Sequence, residues 1–201
     1  MKKVGWFLFV FFAIGVGLYP FGYLLSDTLA TYGLLSQKSE TIKESLLWST
    51  MFKVHIYLGG LALMIGWPQF IKNFRNKNLN FHRMLGKVYL MSILLSGVAG
   101  LYIGYYAEGG WVAKLGFIGL AIAWLYTSCM AYLSIRKLQI DAHKRWMIRS
   151  YALTFAAVTL RIWLPLFQNG FGMEFISAYV IIAWLCWVPN LLWAEWYVRQ
   201  D

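Results

Sequence analysis

The sequence predicts an all-α fold, a polytopic six-helix transmembrane bundle with both termini cytoplasmic, on three observations. Three residues in five are hydrophobic and only 13% are charged, against roughly one-quarter charged in soluble domains. Six stretches approach or exceed the roughly 20 apolar residues that cross a hydrocarbon core: Val4 to Leu25, Met51 to Ile71, Val88 to Tyr106, Trp111 to Ile135, Met147 to Phe167 and Phe175 to Tyr197. The cations gather at alternate ends of these stretches. Lys2, Lys3, Lys72, Arg75, Lys77, Arg83, Lys87, Arg136, Lys137, Lys144, Arg145, Arg149 and Arg199 share one side, and Lys38, Lys43, Lys53 and Lys114 the other. By the positive-inside rule the richer side is the cytoplasm. The formal charge of +10 is therefore a topological signal and not the footprint of a nucleic-acid partner.

The elements follow in order as one domain over residues 1–201. Span one opens on Met1-Lys2-Lys3 as a signal peptide would, but its apolar run is too long for an h-region and no small-residue cleavage site follows, so it is expected to stay as a helix. The external segment 26–50 holds Thr41-Ile42-Lys43-Glu44, a capping box that would start span two before it enters lipid. Span two carries His55 in its outer third, with Gly59, Gly60 and Gly66 as packing positions, and span three offers Ser96, Gly100 and Gly104. Pro20, Pro68, Pro165 and Pro189 fall toward span ends or in distorted turns. Trp48, Tyr105, Tyr106 and Trp111 form an outer aromatic belt, and Trp67, Phe70, Phe74, Trp146, Trp193 and Trp196 an inner one. Cys129 and Cys186, within spans four and six, are expected as small buried hydrophobes without a disulfide.

One device occurs twice. Asn80-Phe81-His82-Arg83 and Asp141-Ala142-His143-Lys144 each end a basic loop with a capping residue, a spacer, a histidine and a cation. Asn80 and Asp141 as N-caps would put each imidazole in a first helical turn, where the positive end of the helix dipole favours the neutral, lone-pair-donating ring. Two such rings at one depth are the smallest constellation able to hold a metal or a haem iron. Gly86, one turn beyond His82, would leave room for a flat macrocycle, and Arg83, Lys144, Arg145 and Arg149 would meet propionates. Two other readings use the same residues: interfacial anchors in the headgroup layer, or two helix starts that bind an anion or a phospholipid headgroup.

A second candidate lies toward the outer side. His55 and Arg161 sit at comparable depth and could line a pocket for a quinone or an anionic group. Alternatively, Arg161 reaches past Pro165 to the surface or pairs with Glu174. Asn190 beside Pro189 reads as a hydrogen bond between helices. No carboxylate occupies a mid-span position, which disfavours a carrier working through one. The inner face lacks the three ligands and base of a zinc hydrolase.

The runs His82-Arg83-x-x-Gly86-x-x-Tyr89, His143-x-x-Trp146-Met147-x-Arg149 and Gly66-Trp67-Pro68-Gln69-Phe70 resemble the bacterial membrane family of domain of unknown function 2306, over roughly Lys53 to Arg161. The resemblance implies a multi-pass bacterial membrane protein and carries no established activity; the cytoplasmic (inner) membrane is the expected location. The leading functional expectation is one haem b, or a metal, held by His82 and His143, with electrons passing to or from the outer pocket through a quinone or a redox partner. The alternative is a non-redox protein, either a lipid- or anion-binding transporter or an accessory subunit of a membrane complex. Membrane lipids are partners in both.

Overall fold

A computed structural model describes residues 3–24, 35, 38–39, 42 and 44–200, and all regular structure among them is helical. The α-helices in chain order are α1 (Lys3–Leu18), α2 (Leu46–Gly66), α3 (Lys72–Lys77), α4 (Leu79–Tyr105), α5 (Gly110–Arg136), α6 (Ile140–Thr154), α7 (Ala156–Pro165), α8 (Phe175–Leu185) and α9 (Val188–Val198). Among the described residues they build six segments long and apolar enough to cross a membrane: Lys3–Gly22, Leu46–Phe70, Leu79–Tyr105, Gly110–Arg136, Ile140–Gly170 and Phe175–Val198. Each proline marks a departure from α geometry. Pro20 and Pro68 sit in 3-10 turns, Pro165 ends α7 before a π turn at Leu166–Gly170, and Pro189 lies in the first turn of α9. Lacking an N–H, proline interrupts the i to i−4 ladder wherever it falls inside a helix.

Two spans start well before their apolar runs. The segment Leu79–Tyr105 begins nine residues ahead of Val88, and Ile140–Gly170 begins seven ahead of Met147. At 1.5 Å per residue the second is about 46 Å long, beyond the roughly 30 Å of a hydrocarbon core. Its excess turns are polar and helical at once, which hydropathy alone does not register. Thr41 and Lys43 of the capping box, and most of segment 26–50, lie outside the described residues. Chain entry into α2 is governed by Ser45, whose hydroxyl accepts the Trp48 N–H at 3.3 Å.

Contacts divide the chain into two compact units, Met1–Ser96 and Gly97–Asp201. In the first, α1 packs along α2. The backbones meet at Gly17 and Gly60, where a Cβ on Gly60 would lie 2.6 Å from the Gly17 carbonyl oxygen. The absence of two side chains lets the helices approach this closely and gain dispersion contacts along both flanks. Trp48, in the first turn of α2, is buried and stacks on Phe52 at 5.2 Å between ring centroids.

In the second unit α5 and α6 form a hairpin, α8 lies against α5 and α7, and α9 lies against α6. Gly116 of α5 faces the Ala183 backbone of α8, and a Cβ there would lie 2.8 Å from the Ala183 carbonyl oxygen. Phe117 packs on Tyr179 at 5.0 Å, and the Trp184 indole donates to the Val112 carbonyl at 3.1 Å. Cys186 is buried as expected, whereas Cys129 is exposed on the outer face of α5.

Replacing Gly116 by leucine should force α5 and α8 apart and cost about 1–3 kcal/mol. Gly15→Leu, at a position with nothing within 4 Å of the new Cβ, should be near neutral. Thermal unfolding of the detergent-purified variants measures both.

Candidate functional site

Both histidines of the repeated device occupy the same helical position, reached from caps two residues earlier than Asn80 and Asp141. Asn78 caps α4: its side-chain oxygen accepts the Phe81 N–H at 2.9 Å, and its carbonyl accepts the His82 N–H at 3.0 Å. Gln139 precedes α6, and its carbonyl accepts the His143 N–H at 2.9 Å. Each histidine is thus the fourth residue after its cap and makes the first regular bond of its helix. Asp141 does not cap; it is exposed and bonded to Lys144 at 2.9 Å, which also commits that lysine.

His143 is half-buried, and its Nδ1–H donates to the Ala131 carbonyl of α5 at 2.8 Å. This bond across the hairpin fixes the ring and the tautomer, so the lone pair lies on Nε2, the arrangement found behind metal-ligating histidines. Three residues on, Trp146 packs edge-on against Tyr126 at 5.6 Å and lies beneath the Arg149 guanidinium at 4.6 Å. Arg149 grips Glu195 of α9 with two bonds, Nε to Oε1 at 2.5 Å and Nη2 to Oε2 at 2.9 Å. A bidentate pair of this kind supplies geometry as well as energy. Arg149 therefore joins spans five and six and is not available to a propionate, which removes it from the expected anion-binding set. Arg145 stays exposed, as does Arg83 in the first unit.

In the first unit the motif around Gly66 folds beside the motif of His82. Trp67–Phe70 is a 3-10 turn that buries Gln69, whose amide donates to the Ile65 carbonyl at 3.3 Å. The Gln69 side-chain oxygen lies 3.5 Å from where a Gly86 Cβ would be. The space over Gly86 thus receives Gln69 and is not left open for a macrocycle. Tyr89, one turn further along α4, is fully buried.

His55 and Arg161 belong to different units, and each is engaged within its own. The His55 Nδ1–H donates to the Ser96 carbonyl at 2.9 Å, and the Ser96 hydroxyl donates to the His55 carbonyl at 2.9 Å, a reciprocal clasp between α2 and α4. Arg161 donates from Nη1 to the Ala157 carbonyl at 3.0 Å. Its side chain folds back along α7, as helical side chains do. Glu174 is exposed at the N-terminal cap of α8.

One cluster has no counterpart in the sequence motifs. Span five breaks at Phe155, between α6 and α7, and span six breaks at Cys186 and Trp187, between α8 and α9; both breaks are near the midpoints of their spans. The Asn190 amide donates to the Ala152 carbonyl at 3.2 Å and to the Cys186 carbonyl at 3.1 Å. The Thr159 hydroxyl also reaches the Cys186 carbonyl. Ala152 O is the acceptor that the Ala156 N–H would use in an unbroken helix, and Asn190 occupies it. Nearby, Trp124 donates to Thr154 at 2.8 Å and Ser128 meets Ser150 at 2.8 Å, so the polar groups of this seam are mutually satisfied.

Glu195→Leu should destabilise the protein by about 1–3 kcal/mol, because a partly buried guanidinium loses its partner. Arg149→Leu combined with Glu195→Leu should recover most of that loss. Thermal unfolding in detergent of the two single variants and the double variant tests the cycle.

No curated protein and no solved structure matches the chain. A family described as predicted membrane protein matches residues 52–198, a range that includes span six as well as the three motifs. The chain therefore belongs to the membrane-protein family of domain of unknown function 2306.

Proposed function

We propose that the protein binds one b-type haem through His143 and takes part in electron transfer within the bacterial inner membrane. The observation that carries this reading is the Nδ1–H bond of His143 to Ala131. It holds a half-buried imidazole with Nε2 as the donor atom, the nitrogen by which His143 would hold a haem iron. The sequence supplies one partner at the matching helical position, His82. A porphyrin brings four nitrogens of its own and asks the protein for only one or two ligands. A bare metal ion would ask for three or four, and no group of three or more histidine, cysteine or acidic residues able to hold one occurs among the described residues.

In the unit that holds His143, the exposed Arg145 suits a propionate carboxylate better than the paired Lys144 and Arg149 do. The charge asymmetry of the loops supports a cytoplasmic position for both histidine-bearing helix starts. A quinone or a small redox protein would be the electron partner.

The test is the absorption spectrum of protein purified in mild detergent from haem-replete cells, followed by titration with ferric haem. A Soret band is expected, abolished or at least tenfold weaker in His143→Ala and changed in spin state or lost in His82→Ala. A colourless preparation that takes up no added haem refutes the proposal. Co-purified phospholipid in such a preparation would support the non-redox alternative.

A further inference from the structure

The hairpin between α5 and α6 turns on a residue that fits poorly if water surrounds it. The Leu138 N–H donates to the Ile135 carbonyl and the Gln139 N–H to the Ser134 carbonyl, both at 3.0 Å. These are the two bonds of a Schellman cap. Its left-handed position is held by Leu138 at φ 59°, the sole non-glycine residue with positive φ among the described residues. Glycine adopts this conformation without strain and leucine does not. The leucine side chain is also 82% exposed, and Ile140 beside it 57% exposed. An aqueous loop would gain from glycine on both counts.

The surroundings indicate what the tip meets. Arg136 is held by Tyr132, through a hydrogen bond at 2.9 Å and the ring face, and Lys144 is held by Asp141. Lys137 and Arg145 are exposed, and Lys144 together with Arg145 holds the Asp141 carboxyl below its ordinary range. The 27 residues of α5 reach about 40 Å at 1.5 Å each, enough to cross the hydrocarbon core and end in the headgroup layer. Two apolar side chains at the tip and two exposed cations beside them complement a bilayer surface, with its acyl boundary beneath its phosphates.

We propose that Leu138 and Ile140 insert at the acyl boundary of the membrane while Lys137 and Arg145 bind the phosphates of anionic phospholipids, making this hairpin tip an anionic-lipid contact site. The strained leucine is retained because lipid, not water, receives its side chain. Leu138, Ile140 and Lys137 belong to this contact alone, whereas Arg145 is shared with the propionate contact of the haem proposed at His143.

The experiment places a nitroxide label at Leu138→Cys in a Cys129→Ser background. It compares phosphatidylcholine vesicles with vesicles that also contain phosphatidylglycerol. The label should collide with oxygen several-fold more often than with a water-soluble nickel chelate, and phosphatidylglycerol should lower the nickel collisions further. Lys137→Gln with Arg145→Gln should remove the phosphatidylglycerol-dependent part. Leu138→Gly, which relieves the backbone, should unfold at a higher temperature in lipid-free detergent and gain less stability from added phosphatidylglycerol than the parent protein does. Nickel collisions as frequent as those of free label in water would overturn the proposal. So would a label shielded from both reagents in detergent and vesicles alike, because protein would then cover the tip.

Discussion

Lipid offers no hydrogen-bond partner, so every backbone group at membrane depth must find one inside the protein. The rest of the second unit is arranged around meeting that demand at two mid-span breaks. Pro189 cannot donate, and Asn190 takes the Ala152 carbonyl from its own helix; left alone, either event would strand polar groups in hydrocarbon. The break before α9 also takes the Cys186 carbonyl out of the ladder, and Asn190 and Thr159 both donate to it. The breaks are tolerated because they face each other. Separated, each would carry the cost of an unsatisfied carbonyl, about 1–3 kcal/mol by protein mutational data.

The same economy shapes the helix crossings. Helices in lipid gain little from the hydrophobic effect, since acyl chains are as apolar as leucine. Association relies on close backbone approach, at Gly17 and Gly60 in the first unit and at Gly116 and Ala183 in the second, and on side chains that bond across helices. The His55 and Ser96 clasp, the Trp124 and Thr154 bond and the Arg149 and Glu195 fork are of that kind. His143 is part of this scheme too. Its bond to Ala131 ties α6 to α5, and the same bond leaves Nε2 oriented, so a structural contact and a ligand geometry coincide in one ring.

How far the site could be read in advance depended on the type of signal. The paired histidines were visible as a repeated spacing, and their equal position after a cap is real, but the caps themselves are Asn78 and Gln139. Asparagine and aspartate are good caps wherever they stand, so local preference could not choose between Asn78 and Asn80; the turn after α3 did. Arg149 read as one of several loop cations because Glu195, 46 residues away, is its partner only once spans five and six are folded. Gly86 read as open space because the residue that comes to it, Gln69, arrives from another helix. Cys129 is exposed and not buried as its apolar surroundings suggest, because hydropathy does not tell which side of a span faces protein.

The number of spans, their approximate limits, the helical fold and the family are legible in the primary structure, since they follow from apolar length and from short motifs that are local in the chain. Tertiary structure alone decided the two mid-span breaks, the ion pair that joins spans five and six, the tautomer of His143 and the strained leucine at the hairpin tip. Each of those is a contest for a hydrogen-bond acceptor or a counter-charge, and the winner is set by a neighbour distant in sequence that only packing brings within reach.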